Sequence, residues 1–281
     1  MRKLTKITWF LLIGLLAASG CRVNPATGRK QLVIISEEEE VALGAQAAPD
    51  LEKQFKGRVA NTELQDYVSR IGKKVAKTAD RDMPYEFTLL ASEVPNAFAL
   101  PGGKVYVTAG LMSRMSNERQ LAAVLGHEIG HVCALHNVNA MQRQLGANIL
   151  VEIAQRAVAE KYAPTAGSVT KYAGLFVNLR YGRTDEYQAD ELGIRYLTRA
   201  GYHPWGMVEL LEILFKESQG GESSFMELFQ THPLTSKRID DTREYISLNY
   251  TDPLPAPPDP NAENFMKMRV LLVASLKSEK L

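Results

Sequence analysis

Residues 127–131 read His127, Glu128, Ile129, Gly130 and His131, two imidazoles four positions apart with a carboxylate beside the first. Side chains at i and i+4 leave a helix on one face, one turn apart, so both histidines can reach a single metal ion. Glu128 projects about 100° further round, close enough to a water on that ion to exchange a proton without having to ligate. Zinc suits such a set, because it takes nitrogen and oxygen donors in a tetrahedron and a hydrolytic site leaves one corner for water. The spacing therefore calls for a third protein donor. His136, five residues past His131 and about 140° round the same helix, does not share its face. Residues 183–190 offer Glu186 and Asp190, again at i and i+4 at a helix start. One carboxylate can ligate while the other holds an imidazole N–H from behind.

The elements that must carry these residues are legible in part. Asn117 is an N-cap for the histidine helix, whose stripe is Leu121, Val124, Leu125 and Val132. Gly126 and Gly130 are poor helix formers, and beside the ligands they let another backbone come close. Ser36 and Glu39 form a capping box opening a helix to about Phe55, and Leu64, Val68, Ile71 and Val75 mark the core face of a second helix. Alternation over Tyr85–Leu90, and again at Val105, Tyr106 and Val107 after the Pro101-Gly102-Gly103 turn, predicts a small sheet. The later strand, just upstream of the histidines, is read as an edge for an extended peptide backbone. The helix carrying Glu186 runs to about Arg199 and stops at Gly201, and a further helix carries Met207, Leu210, Leu211 and Leu214. Proline-rich residues 251–260 read as a stiff linker, and Phe265, Met268, Val270, Leu271 and Leu272 as a final helix that either docks on the domain or meets the membrane or a partner, docking being preferred.

Several separate stretches together resemble metallopeptidase family 48, the gluzincin group of type I CAAX prenyl proteases and HtpX-like proteases, in its soluble bacterial lipoprotein branch. They are Asn24-Pro25-Ala26-Thr27-Gly28, Pro95-Asn96-Ala97-Phe98-Ala99-Leu100-Pro101-Gly102-Gly103, the His127–His131 motif, Glu186 to Asp190, and Thr231-His232-Pro233 through Ile239. The resemblance implies an α+β fold, a mainly helical zincin-like metallopeptidase domain with a small β-sheet and an active-site helix. It also implies one zinc per chain on His127, His131 and Glu186, with Asp190 behind a ligand and Glu128 as general base. His232, in the His-Pro motif, is brought near the cleft in such a fold, either as a fourth ligand or as a residue that steadies the transition state. Tyr181, Tyr187, His203 and Arg238 are the other candidates for supporting the oxyanion.

The N-terminus speaks to location. Arg2, Lys3 and Lys6 precede an apolar run from Trp9 to Ala18, the layout of a secretory signal and too short to span a bilayer. It ends in Ala18-Ser19-Gly20-Cys21, which resembles a lipobox and makes Cys21 a lipidation site; Arg22 in place of aspartate resembles outer-membrane sorting. No uncharged stretch in residues 137–180 approaches the roughly 18 residues of a spanning helix, so the catalytic domain reads as soluble. The chain has 33 basic and 32 acidic side chains; losing Arg2, Lys3 and Lys6 with the signal leaves 30 against 32, which excludes a nucleic-acid partner driven by charge. Cys133 is the only other thiol and reads as a small buried residue. The expected organisation is a signal peptide at 1–20, a zinc metallopeptidase domain at 21–250, a linker at 251–260 and a C-terminal helix at 261–281. The expected function is a zinc endopeptidase of the bacterial envelope, facing the periplasm from the outer membrane and acting on peptide or unfolded protein substrates. The alternatives are a metal-dependent, chaperone-like scaffold for outer-membrane assembly partners and a zinc hydrolase of non-peptide substrates.

Overall fold

The protein is described here by a computed structural model over residues 21–162, 176, 179–219, 225–251 and 256–278. The signal-like residues 1–20 and part of the proline-rich segment lie outside these residues. A short hairpin, β1 (Cys21–Val23) and β2 (Lys30–Leu32), leads into α1 (Glu37–Gln54) and α2 (Thr62–Ala76). Three strands follow, β3 (Glu86–Leu90), β4 (Ala97–Ala99) and β5 (Lys104–Thr108), and then α3 (Ala109–Met112), α4 (Glu118–Cys133), α5 (His136–Leu145) and α6 (Ala147–Tyr162). The other described elements are helices: α7 (Arg183–Arg199), α8 (Gly206–Gln219), α9 (Met226–Thr231), α10 (Ser236–Asn249) and α11 (Ala262–Ser278). This is an α+β, mainly helical fold with one small sheet beside the histidine helix.

Local signals set the boundaries where they were strongest. Glu39 N donates to Ser36 Oγ at 3.2 Å and Ser36 N donates to Glu39 Oε2 at 2.6 Å, closing the capping box. Asn117 Oδ1 accepts from Gln120 N at 3.1 Å and starts α4. Leu64, Val68, Ile71 and Val75 are all fully buried on the inner face of α2.

The sheet order is β3-β5-β4, with β3 parallel and β4 antiparallel to β5. The strand expected at the edge, Val105 to Val107, is thus the central one. The edge belongs to Ala97–Ala99, because Gly102 and Gly103, at φ 81° and 94°, fold that segment back onto β5. Thr108 N donates to Asn96 O at 3.0 Å and Leu100 N to Lys104 O at 2.8 Å. In an antiparallel ladder the bonded pairs alternate, so Ala97 and Ala99 turn their peptide groups away from β5. Asn137 Nδ2 already takes the Ala99 carbonyl at 2.7 Å.

Every residue of α4 is buried, so its apolar stripe is only part of what it packs. Gly126 and Gly130 explain the fit on one side. A Cβ at Gly130 would lie 2.8 Å from Ala189 O, and one at Gly126 3.1 Å from Gly193 O, so the backbone of α7 occupies the space their missing side chains leave. Both ends of α4 are capped from distant segments. At the N-terminus Arg119 N donates to Asp259 Oδ2 at 2.8 Å, and Arg119 Nη1 donates to Pro257 O at 2.6 Å. At the C-terminus three terminal carbonyls are taken by side chains, Val132 O by Arg81 (2.8 Å), Cys133 O by Asn24 (2.9 Å) and Ala134 O by Gln31 (3.3 Å). α11 buries Phe265 and Leu272, with the Phe265 ring 6.4 Å from that of Tyr67. Among the described residues no helix is long and apolar enough to cross a membrane.

Candidate metal centre

Because α4 and α7 touch backbone to backbone, the side chains just beyond the contact meet. His127 and His131 from α4, Glu186 from α7 and His232 from the turn after α9 place one donor atom each within 4.8 Å of one another, all buried. His127 Nε2 lies 3.0 Å from His131 Nε2. Glu186 Oε1 lies 3.3 Å from His131 Nε2, and Oε2 3.6 Å from His127 Nε2. His232 Nδ1 is 3.1 Å from Glu186 Oε1 and 3.4 Å from His127 Nε2.

Hydrogen-bond accounting says what this cluster lacks. Asp190 Oδ1 is an acceptor 2.8 Å from His127 Nδ1, so that nitrogen carries the proton. His136 Nε2 donates to Gln188 Oε1 at 3.0 Å, which leaves His136 Nδ1 to accept from His131 Nδ1, also at 3.0 Å. With both Nδ1 atoms protonated, the two Nε2 lone pairs face each other and the Glu186 carboxylate with no proton between them. A cation belongs there. Charge points the same way: the buried carboxylates Glu128, Glu186 and Asp190 outnumber the one guanidinium of Arg238, leaving negative charge that a cation offsets. Nitrogen and oxygen donors in this number suit zinc.

Burial and neighbours tune each group. Burial pushes the Glu128 carboxyl up, which suits a group that must take and return a proton. Burial also holds His131 well below the usual imidazole range, so it stays neutral and ready to ligate. Burial alone would raise Glu186, but the Arg238 guanidinium and His232 override it and hold the carboxyl well below its usual range. Asp190 is likewise lowered by Arg238 against the effect of burial. His232 is raised by Glu186 and Glu128 in spite of its burial. Glu128 Oε2 has no hydrogen-bond partner, and Glu128 Oε1 lies 3.9 Å from His232 Nε2.

Two residues took roles that spacing did not reveal. His136 is outside the donor cluster as its helical angle implied, yet it sits directly behind His131. Leu135, at φ 63°, ends α4 and starts α5 in a new direction, which returns His136 to its neighbour. Arg238, weighed above as an oxyanion support, is fully engaged: Nη1 donates to Glu186 Oε2 at 2.5 Å, and Nε and Nη2 to Asp190 at 2.6 and 2.7 Å. Its place six residues after His232, one helical turn into α10, was the available signal. Tyr181 lies over His131 with ring centroids 4.0 Å apart. Tyr187 and His203 lie elsewhere, Tyr187 in a groove against Asp241 and Tyr245, and His203 by the Trp205 amide. Cys133 is free and buried, its Sγ 3.3 Å from the Tyr85 hydroxyl.

Residues 62–246 match the profile of Peptidase family M48. Curated relatives include a beta-barrel assembly-enhancing protease of Escherichia coli, 31% identical over 64% of this chain and 38% of the relative. The Yersinia pestis protein of that name is 30% identical over 74% of this chain and 43% of its own length. The metalloprotease LoiP of Escherichia coli is 27% identical over 77% of this chain and 84% of its length. The chain thus spans about two fifths of the assembly-enhancing proteases it matches. With the family profile covering both the histidine helix and the segment that brings Glu186, His232 and Arg238 to it, the chain belongs to peptidase family M48.

Proposed function

We propose that the protein is a zinc-dependent endopeptidase of the bacterial cell envelope that cleaves unfolded or misassembled envelope proteins. The observation that carries this reading is Glu128, buried, unpartnered at Oε2 and set beside a cluster in which His127 Nε2, His131 Nε2 and the Glu186 carboxylate converge with no proton between them. His127, His131 and Glu186 are the protein ligands in this reading, with Asp190 and His136 fixing the imidazole tautomers and Arg238 holding both carboxylates in place. Zinc, when bound, supplies a Lewis acid that polarises a peptide carbonyl and acidifies a water. Glu128 takes the proton from the attacking water and delivers it to the leaving amine. Ala97 of β4 lines the apolar pocket together with His127, Glu128, Leu111, Met207 and Leu211; because β4 is itself buried, an extended substrate pairs with that edge in this reading only once the cover over the site has moved aside. The signal-like N-terminus and Cys21 support a lipid-anchored, periplasm-facing location, and relatives named for beta-barrel assembly support a misassembled protein as substrate.

The test is cleavage of an unfolded protein with and without chelator, joined to metal analysis. Glu128→Gln is expected to keep about one zinc per chain and lose proteolysis, whereas Glu186→Ala loses both. Full zinc occupancy in Glu186→Ala would remove it from the ligand set. The second reading, a scaffold for outer-membrane assembly that seldom cuts, has one observation in its favour: His127, Glu128, Glu186 and His232 are all closed off from solvent. It predicts no cleavage by zinc-loaded protein of any unfolded substrate and assembly support that survives Glu128→Gln.

A further inference from the structure

The β1-β2 hairpin has two unlike faces. One is fastened to the C-terminal end of α4, where Gln31 bonds the Ala134 carbonyl and Asn24 bonds that of Cys133. Side chains alternate along a strand, so Lys30 and Leu32, on either side of Gln31, face away from the body, and Val23, paired with Lys30, shares that outer face. Val23 is 60% exposed and Leu32 46%, two of the few large apolar side chains left open, with exposed Arg29 and Lys30 beside them.

We infer that this outer face of the hairpin lies against a phospholipid bilayer, Val23 and Leu32 entering the interface and Arg29 and Lys30 meeting lipid phosphates. The inference rests on the reading of Cys21 as an acylated residue. Cys21 is the first residue of β1 and is paired with Leu32. An anchor on it has no spacer: at about 3.3 Å per strand residue, Val23 follows within roughly 7 Å of the acylated position, which itself sits at the lipid surface. A folded element that begins at the anchor is held close to the membrane, and the face it turns outward carries Val23, Leu32 and Lys30; the groove beside Val23 is lined by Glu37, Asp80 and Asp82 as well as Arg81, so the apolar pair rather than net charge makes the contact. α11 and the 256–260 segment lie at the other end of α4. The C-terminal end of the metal-binding helix is therefore the membrane-proximal one, with His131 only two residues before Cys133. The substrates so favoured are chain segments emerging at the bilayer surface.

Three single-tryptophan additions, Val23→Trp, Leu32→Trp and Val270→Trp, test this in the acylated full chain. Each is reconstituted into vesicles of phosphatidylethanolamine and phosphatidylglycerol, part of the lipid brominated near the top of the acyl chains. Val270 is 67% exposed on α11 and serves as the distant control, and Trp205 gives a common background. The expected result is loss of the added emission at positions 23 and 32 and none at 270. Unquenched emission at 23 and 32 in protein whose mass shows the acyl groups overturns the inference and leaves the anchor reading intact. Equal quenching at all three positions also overturns it, since no one face is then apposed. Cross-linking from position 23 to another protein, with emission unquenched, gives the face to a protein partner instead. A mature chain without acyl groups removes the anchor reading, and the inference with it.

Discussion

His131 is held from both sides, with the metal-facing Nε2 in the donor cluster and Nδ1 against His136, which in turn leans on Gln188. Truncating a partner that orients a ligand costs about 10- to 100-fold in metal affinity. His136→Ala is expected to weaken zinc binding by that factor in a competition titration while the fold, read by circular dichroism of the zinc-loaded protein, is kept; unchanged affinity would make the contact incidental. His232 is the other residue whose role is testable singly. Its Nδ1 lies among the donors, and the Thr231 carbonyl beside it is tied to Tyr181 N at 3.2 Å, so the turn closes the cleft. With zinc bound, an imidazole there would compete with water for the position that a hydrolytic site leaves open. His232→Ala is expected to raise cleavage of an unfolded protein at unchanged zinc content. A loss of kcat on the order of tenfold in zinc-loaded protein would assign His232 to the transition state.

At the scale of elements, α4 is positioned less by its own sequence than by what caps it. Arg119, at its start, bonds Glu209 of α8 as well as the 256–260 segment. Burial alone would raise the Glu209 carboxyl, and hydrogen bonds from Arg119 and Asn117 outweigh that and lower it from its ordinary 4.5. The sign follows: the unfolded chain binds the proton first as pH falls, so this contribution is complete above about 4.5 and is lost as pH drops through the lower folded-state value. Glu209→Gln is expected to destabilise the protein at neutral pH and to flatten the acid limb of its stability curve. Denaturant melts at several pH values below neutrality check this, and a parallel limb would place the acid sensitivity elsewhere. A reading of the sequence finds the Asn117 cap, which is local, and misses Asp259 and Asn24 as caps, because each lies more than 90 residues from the carbonyl or amide it satisfies.

For the molecule as a whole, the centre is a store of folding free energy that only a cation releases. Lone pairs and carboxylates converge in a water-excluded space at the contact of α4 with α7, so the metal-free fold carries their repulsion. Anything that binds only the native state stabilises it with the logarithm of its concentration over Kd, about 4 kcal/mol at a thousandfold excess. For a domain of this size that raises Tm on the order of 10 °C. Chelation is therefore expected to lower Tm by that order and zinc to restore it, whereas Glu186→Ala should melt at the same temperature with and without chelator. A chelator-insensitive Tm in the unaltered protein would mean that the cluster holds no structural share of the metal's binding energy.

The chemistry was legible in the linear chain, because His127, Glu128 and His131 lie within about one helical turn, and helical geometry sets their positions relative to one another whatever surrounds them. The capping box at Ser36, the core stripe of α2 and the glycines at 126 and 130 were readable for the same reason: each is decided by neighbours a few residues away. Glu186 was one of two carboxylates until the family resemblance chose between them. It took the packed fold to show that β4 rather than β5 forms the edge, that Leu135 turns His136 back behind His131, that Arg238 binds both carboxylates, and that His232 enters the donor cluster. Those contacts join residues up to 105 positions apart, and no local periodicity encodes a meeting set by how whole helices pack.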